Sequence, residues 1–371
     1  RFAQPDLAET LRRIAQDGRD GFYAGRTAEL IEAEMRRGGG LITREDLARY
    51  EAVWRDPLEF TYRRYTVVSM APPSSGGATL AQILKILEGY RLESLAFHSR
   101  DHLHLFAEAA KRAFADRNAY LADPDFVPQP VDRLISDEYA VQRRSDIRAD
   151  RATPADRALP GLGAVSPIVG SDRERADTTH FSVVDEAGNA VAVTTTINSL
   201  YGNLVTVSGA GFLLNNEMDD FTARPGEPNQ FGLVQGEVNS IEPEKRMLSS
   251  MTPTILVEPE GRLRLVTGTP GGGAIITTVA QILSNVVDFR MDVAAATAAP
   301  RFHHQHLPDV LQYEPNGLRP AVASALQAME HVLEIRRGYQ GDAQSIELLP
   351  DGALAGMADP RRGGAAAAVR R

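Results

Sequence analysis

Thr178 is the residue of this sequence with the most promising chemistry, because it begins a β-rich run directly after Asp177. A threonine hydroxyl is a weak nucleophile unless a base accepts its proton. If the bond between these two residues is cleaved, the new α-amine of Thr178, with a reference pKa of about 7.7 to 8.0, can be that base. A threonine that starts a strand is also an ordinary β-branched strand residue, so the hypothesis depends on its surroundings.

Further polar groups follow Thr178 at short intervals. They comprise threonines and an asparagine, then amides and acids, then two serines and a glycine-rich turn: Thr194, Thr195, Thr196, Asn198, Asn215, Asn216, Glu217, Asp219, Asp220, Ser249, Ser250 and residues 270–273. The turn precedes a helix predicted over 275–287, whose first N–H groups can bind an anion or an oxyanion. Its glycines match neither GxGxxG nor a P-loop, which favours the oxyanion.

Two β-rich runs must position Thr178. Residues 180–185 and 189–196 are mostly apolar, and the turn residues 186–189 between them predict a hairpin. Because both runs are apolar, we expect both faces of the hairpin to be covered. Residues 151–177 are rich in Pro, Gly, Ala, Asp and Arg without an apolar period, which predicts an exposed linker and a suitable place for a cut.

Four segments in this order resemble the γ-glutamyltransferase (glutathione hydrolase) family: TTHFSVVD (178–185), LLNNEMDDF (213–221), KRMLSSMTPT (245–254) and VTGTPGG (266–272). Upstream, GGLITREDLARYEAV (39–53) and APPSSGG (71–77) resemble the large-subunit half of the family. PRFHHQHLPD (300–309) and ADPR (358–361) resemble the end of the small subunit. The resemblance covers nearly the whole chain.

The resemblance implies a reaction. Thr178, freed by autoproteolysis after Asp177, would attack the γ-carbonyl of a γ-glutamyl donor such as glutathione. Water, or the amine of an amino acid or peptide, would then resolve the acyl-enzyme. Thr196 would hydrogen-bond the nucleophile's hydroxyl, and the N–H groups of Gly271 and Gly272 would line the oxyanion hole.

The resemblance also implies how the substrate is held. Three residues would bind its α-ammonium, which needs negative or polar acceptors: Asn198, Glu217 and Asp220. Ser249 and Ser250 would contact the α-carboxylate. Residues 225–241 resemble the lid loop over the glutamyl pocket, with Phe231 where an aromatic gate is expected. The chemistry requires no cofactor, and the sequence carries no nucleotide or metal motif.

The fold implied by the family is α/β (α+β layered), the αββα sandwich of N-terminal-nucleophile hydrolases with two stacked sheets between helix layers. Residues 1–177 would be the helix-rich C-terminal part of the large-subunit region, ending in the linker 151–177, and residues 178–371 the small-subunit region. Both would come from one precursor and belong to one interleaved domain. Family members carry a further N-terminal stretch whose arginine binds the α-carboxylate. No segment here matches it, so we expect a truncated start, with Arg246 as an alternative cation.

The sequence before Thr178 is dominated by helix signals. Helices are predicted over 6–16, 24–37, 78–87 and 101–121 and from an N-cap at Thr43, and strand pairs over 60–62 with 66–70 and 254–257 with 263–268. Five charged residues of the 101–121 helix are spaced for helix-surface ion pairs: Glu108, Lys111, Arg112, Asp116 and Arg117. We interpret them as a solvated face without chemistry.

Composition excludes several classes of function. The net charge of −9 and the pI near 5.5 argue against nucleic acid or anionic lipid as a partner. The absence of cysteine excludes disulfides and thiolate chemistry and leaves the redox compartment unreadable. No apolar run is long enough to span a membrane, which predicts a soluble protein; the location is unknown, although the family suggests the periplasm or the exterior. His303, His304 and His306 lack accompanying ligands, so we interpret them as structural.

Two other functions fit the sequence. A relative of the same fold could hydrolyse a bulkier amide, as a cephalosporin acylase does, with the same nucleophile. Such acylases tend to lack the lid, so the lid-like stretch 225–241 favours the transferase. A noncatalytic fragment or pseudoenzyme could instead keep the fold as a binding module.

Overall fold

The computed structural model describes residues 2–163 and 178–369. The chain divides into two compact units, a smaller one of Arg1–Arg55 and Ile197–Asn216 and a larger one of Asp56–Thr196 and Glu217–Arg371. These compact units differ from the two predicted subunit regions, which are defined by the predicted cut before Thr178. The division into subunit regions stays a prediction. No helix within the described ranges is long and apolar enough to cross a membrane.

The helices of these ranges are α1 (Pro5–Asp17), α2 (Asp20–Tyr23), α3 (Gly25–Gly38), α4 (Arg44–Arg49), α5 (Gly76–Leu87), α6 (Arg100–Tyr120), α7 (Val131–Leu134), α8 (Asp137–Arg144), α9 (Ala274–Val287), α10 (Val293–Ala298) and α11 (Pro320–Ala328). The strands are β1 (Leu58–Tyr62), β2 (Tyr65–Ser69), β3 (Thr178–Val184), β4 (Ala190–Thr196), β5 (Thr254–Val257), β6 (Leu263–Thr267), β7 (Phe302–His303), β8 (Leu311–Tyr313), β9 (Leu333–Ile335), β10 (Gln344–Leu348) and β11 (Leu354–Ala358). Every helix and strand that the sequence analysis predicts is present, within a few residues at each end.

The smaller unit packs α1 to α4 with the segment Ile197–Asn216. Its apolar cluster is built around Ile31, Val207 and Ala210, and Thr10 Oγ1 donates a hydrogen bond to the Ala210 carbonyl at 2.9 Å. The predicted N-cap at Thr43 is confirmed. Its hydroxyl accepts from the Asp46 N–H at 3.2 Å while the Asp46 carboxylate accepts from the Thr43 N–H at 2.8 Å, a reciprocal capping box.

The larger unit is organised around a six-stranded antiparallel sheet in the order β1-β2-β5-β6-β10-β11. Two of these strands precede Thr178 in the sequence and four follow it. Helices α5 and α9 are buried along nearly their whole length and pack against each other in the main core, with α6 beside α5. A smaller sheet contains β7, β8 and β9.

Strands β3 and β4 form a separate two-stranded sheet that packs against β5, β6 and β10. Ser182 Oγ donates to the Gln344 carbonyl at 2.8 Å, and the His180 ring lies so close to Gly268 that a Cβ there would be 2.2 Å from the ring. Only glycine fits at that position, because the strand and the histidine occupy the space of a side chain.

The hairpin buries polar side chains and exposes apolar ones. Thr178 and His180 are buried, whereas Phe181, Val183 and Val191 on the opposite face are about half exposed. The expectation that both faces are covered is therefore wrong for the described residues. On the buried face, Ser182 bonds the large sheet at Gln344, whereas Thr178 and His180 bond other residues of the hairpin.

The charged residues of α6 are buried, so their interpretation as a solvated face is wrong. Glu108, Lys111, Arg112, Asp116 and Arg117 are at most 1% exposed. Their spacing is that of a surface helix, and Glu108 does pair with Arg112 on the same helix, but several of their other partners come from distant parts of the chain. Sequence spacing alone does not distinguish these two situations.

Much of this buried charge binds the chain that leads towards the predicted cut. Glu108 Oε1 accepts from the Thr153 N–H at 2.9 Å, and Asp116 Oδ1 accepts from the Gly161 N–H at 2.8 Å. Ala152, Ala155 and Ala158 are buried. The prediction of an exposed linker is therefore wrong at these three alanines, although Pro154, Asp156, Arg157 and Leu159 are exposed. Residues 164–177, with Asp177, lie outside the described part of the chain.

We expect Glu108→Gln to lower the free energy of unfolding by about 3–5 kcal/mol. Its buried carboxylate contacts Arg112 at 2.6 Å, and the neutral amide would leave that guanidinium without its buried counter-charge. Asp146→Asn is the matched control, because Asp146 binds the same guanidinium at 2.9 Å from a side chain that is 63% exposed. Its cost should be about 0–1 kcal/mol. Equal losses for the two variants in urea titrations would contradict this account.

Candidate active site

Thr178 and Thr196 face each other as the first pair of the hairpin. The Thr178 hydroxyl donates a hydrogen bond to Thr196 Oγ1 at 3.2 Å. Thr178 is 9% exposed, so its hydroxyl is sheltered by its surroundings. The register of the hairpin thus brings together the two threonines that the sequence analysis pairs, and their catalytic roles stay predictions.

A buried histidine lies next along the same face of the hairpin. His180 Nδ1 shares a hydrogen bond with Thr194 Oγ1 at 2.8 Å, and its Nε2 shares one with Ser182 Oγ at 3.2 Å. Burial lowers the pKa of His180 to about 4, so the ring is neutral at physiological pH. The ring is held in place by the hydroxyls of Thr194 and Ser182. The sequence analysis did not assign it this position.

Gly271 and Gly272 form the turn that leads from β6 into α9. Their φ angles are +140° and +54°, which only glycine adopts without strain. Their carbonyls accept from the N–H groups of Ala274 and Ile275 at 3.0 and 3.1 Å. No acceptor among the described residues bonds their own N–H groups, so both donors are available to an oxyanion.

Ser249 and Ser250 precede β5 and are held by other parts of the larger unit. The Ser249 carbonyl accepts from the Ser75 N–H at 2.8 Å and from Ser75 Oγ at 2.7 Å. The Ser250 hydroxyl accepts from Arg117 Nη2 at 3.1 Å. Ser250 is buried, whereas Ser249 is partly accessible. The loop is therefore rigidly positioned rather than free on the surface.

The acids lie on a short 3-10 turn, Glu217–Asp220. Desolvation, with a further contribution from Glu217, raises the pKa of Asp220 to about 8, although part of Asp220 remains accessible to solvent. Desolvation also raises the pKa of Glu217 to about 7. Arg117 opposes the shift at Asp220 without cancelling it. A cationic ligand would stabilise the ionised form of both carboxyls, because its positive charge opposes the effect of desolvation.

For two of the predicted site residues, the observed contacts do not bear on the predicted role. Asn198 belongs to the smaller unit, where its Nδ2 donates to the Asn216 carbonyl at 3.0 Å. Phe231 is 4% exposed and belongs to the main core, and its carbonyl accepts from Gln305 Nε2 at 3.1 Å. Binding of ammonium by Asn198 and gating by Phe231 stay predictions.

The three histidines after α10 all bond protein groups. His303 Nδ1 bonds Thr277 Oγ1 at 2.7 Å, His304 Nε2 bonds Asp309 Oδ1 at 3.1 Å, and His306 Nε2 bonds the Ala155 carbonyl at 3.0 Å. Over residues 2–163 and 178–369, no group of three or more His, Cys, Asp or Glu side chains is arranged to hold a metal ion.

Glu217 and Asp220 should make stability depend on pH. Both folded-state pKa values lie above the ordinary carboxyl value of about 4, so from about pH 4 to 8 the folded protein keeps protons that the unfolded chain releases. The contribution of these two groups to stability is therefore greatest below about pH 4 and is lost as pH rises through 7 and 8. The double variant Glu217→Gln, Asp220→Asn should be more stable than wild type at pH 9 by on the order of 2 kcal/mol, and equal at pH 4. Urea titrations at these pH values measure this, and parallel pH profiles would contradict it.

Arg117 contacts Ser250 of the serine loop, which comprises Ser249 and Ser250, and the sequence does not predict this contact. Arg117 lies within a charge pattern that also occurs on surface helices, so the helix itself gave no signal. The sequence feature connected with this contact is the APPSSGG segment, because its Ser75 accepts from Arg117 and donates to the Ser249 carbonyl.

The Gamma-glutamyltranspeptidase family model matches residues 1–369. The chain is 48% identical over 360 residues to the glutathione hydrolase proenzyme of Escherichia coli, covering 97% of this chain and 60% of that protein. It is 45% identical over 374 residues to the glutathione hydrolase proenzyme of Pseudomonas aeruginosa, covering 100% of this chain and 65% of that protein.

The fold is also that of a solved structure. The cephalosporin acylase from Bacillus halodurans superposes with a TM-score of 0.84 at 28% identity, covering 100% of this chain and 63% of that one. This likeness confirms the predicted fold class. The chain spans about 60 to 65% of the length of the two glutathione hydrolase proenzymes.

Proposed function

Because the chain belongs to the gamma-glutamyltranspeptidase family, we propose that it transfers and hydrolyses γ-glutamyl groups with Thr178 as nucleophile. The observation that carries this proposal is the hydrogen bond between the hydroxyls of Thr178 and Thr196 at the mouth of the hairpin. Thr178 is the first residue of β3, so a cut before it leaves the strand pairing intact. The proenzyme form of the two relatives supports such a cut.

The reaction proceeds in two steps. The Thr178 amine accepts the hydroxyl proton while Oγ1 attacks the γ-carbonyl, and the N–H groups of Gly271 and Gly272 bind the oxyanion. The amide C–N bond breaks, the proton passes to the leaving amine, and an acyl-enzyme remains. Water or the amine of an amino acid or peptide then attacks the ester and releases Thr178.

The glutamyl group is recognised at both of its charged ends. Glu217 and Asp220 accept from the α-ammonium, which restores the negative charge that desolvation disfavours at both carboxyls. Ser249 and Ser250 donate to the α-carboxylate. Glutathione is the donor that the names of the two relatives support, and the large and small subunits would be the two products of the cut.

An assay with γ-glutamyl-4-nitroanilide, with and without glycylglycine, tests this proposal. Release of 4-nitroaniline shows the first step, and stimulation by glycylglycine shows transfer to an amine. The likeness to a cephalosporin acylase favours one alternative, hydrolysis of an acylated cephalosporin. Turnover of that amide without turnover of the anilide would replace the proposed function with the alternative.

A further inference from the structure

Arg117 is a buried cation that the proposed reaction does not yet use. It is 0% exposed, and among the described residues it makes no ion pair. Its donors go to three neutral side-chain oxygens: Nε to Ser75 Oγ at 2.8 Å, Nη1 to Asn118 Oδ1 at 2.9 Å and Nη2 to Ser250 Oγ at 3.1 Å. A buried guanidinium held only by neutral groups keeps its attraction for an anion.

The three hydrogen bonds fix the plane of the guanidinium and, through it, both serines. Ser75 Oγ accepts from Arg117 and donates to the Ser249 carbonyl at 2.7 Å. Ser250 Oγ accepts from Arg117 directly. Arg117 therefore reaches the side chain of one serine and, through Ser75, the backbone of the other.

The bond to Ser250 also settles the direction of its hydroxyl. A serine hydroxyl has one proton to donate and two lone pairs that accept. Since Arg117 offers only protons, it occupies a lone pair of Ser250 Oγ and leaves the hydroxyl proton for another acceptor. A carboxylate is the acceptor best suited to this arrangement, because it can accept the hydroxyl proton of Ser250 and is attracted by the cation of Arg117 behind it.

We propose that Arg117 is a positioning residue for the substrate's α-carboxylate, which it orients through Ser250 and Ser75 and attracts by its buried charge. This inference rests on the proposed function, because it names the group that the serine loop receives. Asp220 lies within electrostatic reach of Arg117. The two charges, of opposite sign, match the two ends of an α-amino acid.

The chain offers a matched pair of arginines for the test. Arg112 lies five residues before Arg117 on α6, is equally buried, and bonds Glu108 and Asp146 instead of the serine loop. Arg117→Met and Arg112→Met thus remove the same charge from the same helix. Arg117→Lys and Arg112→Lys form a milder pair should either methionine variant not fold.

Two donors separate positioning from general damage: γ-glutamyl-4-nitroanilide, and 4-aminobutanoyl-4-nitroanilide, which lacks the α-carboxylate. Arg117→Met should lower kcat/KM for the first by about 10- to 100-fold, mainly through KM, and for the second by less than about twofold. Arg117→Lys should lie between, since lysine keeps the charge but not the planar fork. The Arg112 variants should show no preference between the donors.

A double-mutant cycle with Ser250→Ala tests the route. In the Ser250→Ala background, Arg117→Met should lower kcat/KM for γ-glutamyl-4-nitroanilide much less than it does in wild type, because the hydroxyl that Arg117 orients is already gone. Equal losses on both donors, or full additivity with Ser250→Ala, would overturn the positioning role while leaving the proposed function intact. No turnover of γ-glutamyl-4-nitroanilide by the wild-type chain would overturn the proposed function and this inference together.

Discussion

Thr178→Ala should abolish turnover of γ-glutamyl donors, by roughly 10⁴-fold or more, and should leave the bond after Asp177 intact. The variant lacks the hydroxyl that, in the proposed mechanism, attacks the donor and, in the precursor, attacks the carbonyl of the preceding residue. It should fold, because Thr178 is the end residue of β3 and alanine retains the backbone pairing with Thr196. Release of 4-nitroaniline and the electrophoretic size of the chain measure the two effects.

Thr179→Ala is the control for this variant. Thr179 lies on the exposed face of the same strand, opposite Thr195. Thr179→Ala therefore lowers the β propensity of the strand as much as Thr178→Ala does, but it does not alter the buried face that carries the proposed site. It should be cut and should turn over the donor at a rate close to that of wild type. A Thr178→Ala chain that is still cut before residue 178 would show that the nucleophile lies elsewhere.

Asp220→Asn should raise KM for γ-glutamyl donors by about 10- to 100-fold with a smaller change in kcat. In the proposed site, the charge on Asp220 would hold the α-ammonium equally in the ground state and the transition state, so its removal should weaken both and appear mainly in KM. Because the pKa of Asp220 is raised to about 8, its carboxylate forms as pH rises through that value. KM of the wild type should therefore fall from pH 6 to 9, and the variant should lose part of this dependence.

Asp219→Asn is the matched control, since Asp219 is the neighbouring acid on the same turn and accepts from the Gln230 N–H at 3.1 Å. Its amide can keep that hydrogen bond, so KM should change little. Steady-state kinetics of both variants at several pH values give the comparison. An unchanged KM for Asp220→Asn would remove Asp220 from the ammonium site.

Local chemistry predicted the elements that carry the site. The turn residues 186–189 between two β-rich runs predict the hairpin, whose observed register pairs Thr178 with Thr196. The glycines before the apolar run predict the turn that opens α9, where positive φ angles require them. These features depend on neighbours in the sequence, which is why the sequence reveals them.

Long-range packing was not predictable in the same way. The alternation of Thr178, Phe181 and Val183 between two faces did not reveal that the polar face is the buried one. Nor did the spacing of Glu108 and Arg117 reveal that they bind residues more than 40 positions away, at Thr153 and Ser75. Such partners are selected by the fold, and the helix period is the same whichever partner a charge finds.

The central claim is that Thr178 becomes the N-terminal nucleophile, and N-terminal sequencing with intact-mass analysis of the active protein tests it most directly. The account predicts a fragment that begins Thr178-Thr179-His180-Phe181, and turnover of γ-glutamyl-4-nitroanilide that increases in proportion to that fragment. A chain that remains uncut at this bond and yet turns over the donor at full rate would contradict it.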